Sequence, residues 1–172
     1  MSEDLPVSRS YNLGHLGQGG DEVRLDFSES ERRDLARFAG VMGIEAFGAS
    51  VALAKSSSDR FRLDFALDAL VVQACVITLA ELRSPVQLRF CRELHYAPLS
   101  KGNDPVQGVL EDDRPEEIAS LHYDLALPVI EEFVLSIDPY PRAPGVEFLA
   151  PAQKDMRPQS PFAALNALKS GR

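Results

Sequence analysis

The sequence predicts an α+β domain in which a mainly antiparallel, curved β-sheet packs against one or two helices. Several stretches alternate apolar and polar residues, as strands with one wet face do, and only two long stretches repeat with helical spacing. Strands and helices do not alternate regularly along the chain, which favours antiparallel over parallel pairing. We therefore expect the order β-α-β-β-β-α, followed by a loop-rich C-terminal tail.

The chain of 172 residues has the length of one ordinary domain. Residues 1–20 end in NLGHLGQGG, where four glycines in nine residues dilute any apolar pattern, so a flexible N-terminal arm is expected. Residues 21–149 are expected to form a single α+β domain that contains an acidic loop at 98–120. Residues 150–172 are expected to form a C-terminal tail with a short amphipathic helix.

The first strand and helix have clear signals. EVRLDF at 22–27 alternates in hydropathy and predicts a strand. Ser28 and Glu31 then have the S-x-x-E spacing of a capping box, and apolar residues follow at helical spacing. This pattern predicts a helix over about 29–40, ended by glycine, before alternation returns at 45–55.

The middle of the chain is the most strand-like. RFRLDFALD at 60–68 alternates throughout and predicts a strand. The run at 70–79 is more continuously apolar, so we expect it to be buried on both faces or kinked. After a break at 84–85 (Ser-Pro), a further strand is expected to 96, where Arg92 interrupts the apolar stripe and predicts a bulge or a sheet edge.

A second long helix is predicted from LALPVIEEFVLSI at 125–137, with Asp124 as its cap and Pro128 in its first turn. The Asp-Pro pair at 138–139 ends it. SPFAALNALK at 160–169 begins with Ser-Pro, a cap followed by a first helical residue, and predicts a short amphipathic helix.

The net charge is −8, and the acids are concentrated in one stretch. Residues 100–139 carry only Lys101 and Arg114 as bases against ten acids, whereas residues 140–172 carry five bases and two acids. An acidic surface repels phosphate, so a large non-specific nucleic-acid interface is disfavoured. Contact with nucleic acid requires a local basic stripe or a protein partner.

The compartment follows from what the sequence lacks. No apolar run is long enough to cross a bilayer, and the acidic N-terminus does not resemble a secretory signal. With two cysteines and no disulfide framework, a cytoplasmic location without a membrane partner is expected.

Catalytic and metal motifs are absent from the sequence. Cys75 and Cys91 form no C-x-x-C, and the three histidines have no carboxylate or serine at a relay spacing. Cys75 is interpreted as a small buried hydrophobe in a sheet, while Cys91 falls on the polar phase of its strand. We expect a protein that is not an enzyme, with no catalytic residue, metal, cofactor or small-molecule substrate.

The densest basic stretch of the chain consists of Arg83, Arg89 and Arg92, followed by Lys101. These residues could contact RNA phosphates, but solubility alone also explains them and is the favoured interpretation. Further candidates for contact with RNA or with a protein partner are Tyr140, Arg142, Phe162, Leu165 and Leu168.

Three segments resemble one known family. They are ALDALVVQACVITLAELRSPVQLRF at 66–90, YDLALPVIEEFVLSIDPYPRAPG at 123–145 and SPFAALNALKSGR at 160–172. In order and spacing they are similar to the YceD family, the large ribosomal RNA subunit accumulation proteins of bacteria and plastids. The resemblance extends over residues 60–172. It implies a cytoplasmic factor that supports synthesis, processing or stability of large-subunit (23S) ribosomal RNA.

The resemblance carries over no catalytic residues. Many members of that family have C-x-x-C where this chain has Cys75 and Thr78. Half of the pair is missing, which argues against a metal or redox role here.

Two hypotheses of function follow. The first is a non-enzymatic ribosome-biogenesis factor that acts on large-subunit ribosomal RNA or a pre-ribosomal particle. The alternative is a protein-interaction adaptor that docks through SPFAALNALK and has no direct RNA contact. A free helix of about ten residues is marginal in water, so this segment must pack either on its own domain or on a partner.

Overall fold

Residues 5–98 and 115–146 are described by a computed structural model of the chain, and they have the predicted α+β class. The elements are β1 (Ser10–Asn12), a 3-10 helix (Leu13–His15), β2 (Asp21–Asp26), α1 (Glu29–Ala39), β3 (Gly43–Lys55), β4 (Arg60–Ala74), β5 (Glu81–Tyr96), β6 (Glu116–Ile118), β7 (His122–Asp124) and α2 (Ala126–Ser136). The short strands β1, β6 and β7 were not predicted.

The main sheet has five strands in the order β2-β3-β4-β5-β6. All its pairings are antiparallel except that of β5 with β6, and β1 pairs separately with β7. The sheet is therefore mainly antiparallel, as predicted. Its predicted curvature stays a prediction.

Helix α1 forms where its capping box predicts. The Ser28 hydroxyl accepts a hydrogen bond from the Glu31 N–H at 3.3 Å, and the Glu31 carboxylate accepts one from the Ser28 N–H at 2.8 Å. Both bonds satisfy N–H groups that lack helical partners. Gly40 ends the helix in the left-handed conformation, with a φ of 68°.

The apolar phase of the strands faces both helices, and we call this side of the sheet the inner face. Strand β4 buries its odd-numbered residues from 61 to 71 here, and α2 buries Val129, Ile130 and Phe133 in the same cluster. The opposite side, the outer face, carries the exposed charges of the strands. Burial of one face alone explains the strict alternation in the sequence.

The expected flexible arm is packed over much of its length. Val7, Leu13 and Leu16 are buried in the core cluster. The Leu13 N–H donates to the Leu121 carbonyl at 2.9 Å, and the Arg9 N–H donates to Asp124 at 2.7 Å. This segment is held by contacts with residues more than one hundred positions away. Such contacts cannot be read from the local sequence pattern.

Strands β4 and β5 differ from the prediction at their shared end. Strand β4 stops at Ala74, and residues 75–80 form the turn of a hairpin instead of a buried strand. Strand β5 begins at Glu81 and runs through Pro85 without a break. No register shift occurs at Arg92, so the predicted bulge is absent there. Among the described residues, β5 pairs at Arg92 with β4 alone, as the alternative of a sheet edge predicts. A register shift of this sheet lies in β3, between residues 44 and 46.

Pro85 is tolerated because of the side to which its nitrogen points. The Tyr96 N–H donates towards β4, to the Asp59 carbonyl, and the Ala97 N–H donates away from β4, to Ile118. By alternation, odd-numbered nitrogens of β5 point away from β4. Within the described residues β6 pairs with β5 only at 94–96, so the missing N–H of Pro85 breaks no bond between β4 and β5.

The predicted acidic loop at 98–120 contains strand β6, and its residues 99–114 lie outside the described ranges. The predicted C-terminal helix also lies outside them. Asp124 was predicted as the cap of α2 but lies one position before the N-cap residue, Leu125. Its carboxylate accepts a hydrogen bond from the Ala126 N–H at 2.9 Å. At eleven residues each, the two helices of the described part are too short to span a membrane.

Candidate functional site

The three arginines of β5 do not form one surface. Arg83 and Arg89 are exposed on the outer face, whereas Arg92 is half-buried on the inner face. The Arg92 guanidinium contacts the Glu132 carboxylate of α2 at 2.7 Å and lies over the Phe90 ring. Arg92 therefore ties α2 to the sheet and is not available as part of a basic stripe.

The two outer arginines differ in their partners. Arg83 bridges Glu45 at 2.9 Å and Glu81 at 2.8 Å, and these pairs raise its pKa. Arg89 forms no ion pair with any residue that the structure describes. Arg89 is thus the β5 arginine whose guanidinium could bind an anionic ligand without first leaving a carboxylate.

Two other predicted contact residues lie near the turn that joins β4 to β5. Tyr140 and Arg142 are exposed in the segment after α2. This segment is held to the hairpin turn because the Val76 N–H donates to the Pro141 carbonyl at 2.9 Å. The remaining predicted contacts lie outside the described residues: Lys101, Phe162, Leu165 and Leu168.

Cys75 is buried, as predicted, but in the turn that follows β4 and not within a strand. Its N–H donates to the Ala80 carbonyl at 2.8 Å, and the Leu79 N–H donates to the Cys75 carbonyl at 2.9 Å. Leu79 has a φ of 59°, in the left-handed region. From the segment after α2, the Ala143 N–H donates to the Cys75 Sγ at 3.4 Å.

Hydrogen-bond donors around the sulfur of Cys75 change its acidity. Hydrogen bonds from the Thr78 hydroxyl and backbone, and from the N–H groups of Ala143 and Ile77, lower the pKa of Cys75 to about 6 against the opposing effect of burial. Thr78 occupies the place of a second sulfur and makes the largest contribution to the lowered pKa of the first. No cluster of potential metal ligands exists among the described residues.

Three shallow depressions on the outer face of the described part contain acids that match or exceed the arginines in number. One contains Arg24 with Asp26 and Asp68. Both others contain Arg89, either with Glu22 and Asp64 or with Asp68 alone. Carboxylates so close to the arginines disfavour phosphate at these places.

A fourth depression, between α1 and the start of β3, has the opposite charge balance. It has a volume of about 560 Å³, and arginines outnumber acids in its lining. The charged and exposed lining residues are Glu29, Arg32, Arg33, Arg37, Met42 and Glu45. We call this the α1 depression. Its three arginines were not among the residues predicted from the sequence, although SESERRDLARF places them within one and a half turns of a helix.

The arginines of the α1 depression are held in different ways. Arg33 pairs with Glu29 at 2.5 Å and Arg37 with Asp34 at 3.1 Å, and both guanidiniums remain largely exposed. Arg32 donates from Nη1 to the Phe27 carbonyl at 2.8 Å. Its Nε is buried and has no hydrogen-bond partner within the described ranges.

Comparison with known proteins identifies no relative of this chain. No protein-family model, curated protein or solved structure matches this chain.

Proposed function

We propose that this protein is a non-enzymatic ribosome-biogenesis factor that supports synthesis, processing or stability of large-subunit (23S) ribosomal RNA in the cytoplasm. One observation carries the proposal: three segments between residues 60 and 172 resemble the YceD family in order and spacing. The target is large-subunit ribosomal RNA or a pre-ribosomal particle, reached directly or through a protein partner. No membrane, cofactor or small-molecule substrate takes part.

The charge distribution supports local and not extensive RNA contact. The net charge of −8 opposes a broad nucleic-acid interface. On β5, Arg83 pairs with two carboxylates and Arg92 pairs with Glu132. Arg89 is the arginine of that strand that forms no ion pair with any described residue. Binding of naked RNA should accordingly be weak and should fall steeply as salt is added.

Depletion of the protein in its own cells tests this function. We expect mature large-subunit RNA to fall relative to small-subunit RNA, and re-expression of the wild-type chain should restore the ratio. An unchanged ratio in depleted cells, with depletion verified, would contradict the proposal.

The adaptor hypothesis is favoured by the composition of SPFAALNALK, whose Phe162, Leu165 and Leu168 recur at helical spacing. Deleting residues 158–172 separates the possibilities. If the segment docks on a partner, pull-down partners should be lost while the melting temperature stays unchanged. If it packs on its own domain, the melting temperature should fall.

A further inference from the structure

We propose that the α1 depression binds the phosphodiester backbone of single-stranded RNA through Arg32, Arg33 and Arg37. This inference rests on the proposed function and specifies how direct RNA contact would occur. It places the contact on α1, which packs on the inner face, and not on the β5 arginines that were candidates for contact with RNA phosphates.

The first argument is charge. Three arginines line the α1 depression against Glu29 and Glu45, while each outer-face depression contains one arginine and at least one acid. Guanidinium groups bind phosphate oxygens with two parallel hydrogen bonds and are always charged. Of these four depressions, this one alone has more arginines than acids in its lining, outside which lies Asp34, the partner of Arg37.

The second argument is that these arginines can change partners at low cost. The carboxylates that hold Arg33 and Arg37 are exposed, at 73% and 42% of their side-chain surface. Exposed ion pairs contribute about 0–1 kcal/mol, so a polyanion can displace them. Release of counterions from the RNA adds a driving force that an isolated carboxylate lacks.

The third argument is that the Arg32 guanidinium is already held in place. Nη1 of this guanidinium is fixed by the Phe27 carbonyl. Binding a phosphate oxygen would therefore cost this guanidinium little entropy, although Nε itself is closed to solvent.

The shape favours a polymer over an enclosed small molecule. The depression is shallow and wide, with about 560 Å³ of open volume. Met42 is 61% exposed in its lining and offers an apolar contact for a ribose or a base. Duplex RNA is read mostly through its wide groove, whereas an unpaired strand can lay successive phosphates and bases along such a surface.

The test measures binding of a mixed-sequence single-stranded RNA of about twelve nucleotides by fluorescence anisotropy over a range of salt concentrations. The variant is Arg33→Gln with Arg37→Gln. Its matched control is Arg24→Gln with Arg62→Gln, which also removes two exposed arginines but from the outer face. Melting temperatures establish that all chains are folded.

The expected effects follow from about 0.7 counterions released per phosphate contact. Loss of two contacts should lower the slope of log affinity against log salt by about 1.4 and weaken binding about 25-fold at 0.1 M salt. The control should bind nearly as the wild type does. Glu29→Gln, which removes a competing carboxylate, should bind more tightly than the wild type.

Several results would overturn the α1 site: no binding by the wild type, equal loss in variant and control, or displacement of the RNA by an equal concentration of a mononucleotide. The two proposals fail separately. If depletion lowers large-subunit RNA but the Arg33/Arg37 variant binds RNA normally, the function stands and this site falls. If depletion has no effect but the variant loses binding, the site stands and the function falls.

Discussion

Three phenylalanine rings link α2 to the sheet, and removal of the last ring should loosen that contact. Phe133 of α2 is fully buried and meets Phe47 of β3 edge to face, with ring centroids 4.8 Å apart. Phe47 meets Phe27 in the same manner at 4.7 Å. In Phe133→Ala, α2 keeps its backbone but loses its largest side chain in the core.

The cost of Phe133→Ala can be estimated from this geometry. Truncation of a fully buried phenylalanine costs about 3–5 kcal/mol, since the lost transfer free energy adds to that of the cavity left behind. The lost edge-to-face contact accounts for about 0.5–1.5 kcal/mol of this. A central value of about 4 kcal/mol is a large part of a domain's usual stability, and it corresponds to a fall in Tm of about 8–16 °C.

Urea denaturation followed by circular dichroism measures this change. The matched control is Leu135→Ala, two positions along the same helix, where the side chain is 81% exposed. It should change the free energy of unfolding by less than about 0.5 kcal/mol. A cost below about 1 kcal/mol for Phe133→Ala would refute the packing of α2 described here.

Three further substitutions test individual interactions. Ser28→Ala removes the helix cap and should cost about 1 kcal/mol of unfolding free energy in the same denaturation assay, so a neutral result would contradict the capping box. Asp124→Ala removes the acceptor of two backbone N–H groups and should lower the free energy of unfolding by about 1–3 kcal/mol. An unchanged urea midpoint would show that neither hydrogen bond contributes to stability. Thr78→Val, made in a Cys91→Ser background, should raise the pKa of Cys75, read from the ultraviolet absorbance of its thiolate during a pH titration; an unshifted titration would refute the hydrogen bond. The folded state lowers the pKa of Cys75 below the ordinary value of a thiol. The thiolate therefore stabilises the fold fully when the pH lies above that ordinary value, and this stabilisation is lost as the pH falls towards 6.

The candidate surfaces were only partly predictable. The alternation of β5 already places Arg89 and Arg92 on opposite faces, because a strand repeats every two residues. What the pattern does not show is the partner of each arginine. Glu45 and Glu132 lie 38 and 40 positions from the arginines they bind, so only the packed sheet and α2 bring them together.

The sequence by itself determined the α+β class with a mainly antiparallel sheet, because alternation, helical spacing and the capping box of α1 act over a few residues. Tertiary structure decided what local pattern leaves open: the pairing of β1 with β7, the turn that surrounds Cys75, and the passage of β5 through Pro85. It also placed the arginines of α1 beside β3. The physical reason is that these features depend on hydrogen bonds and packing between distant segments, which form only when the chain has folded.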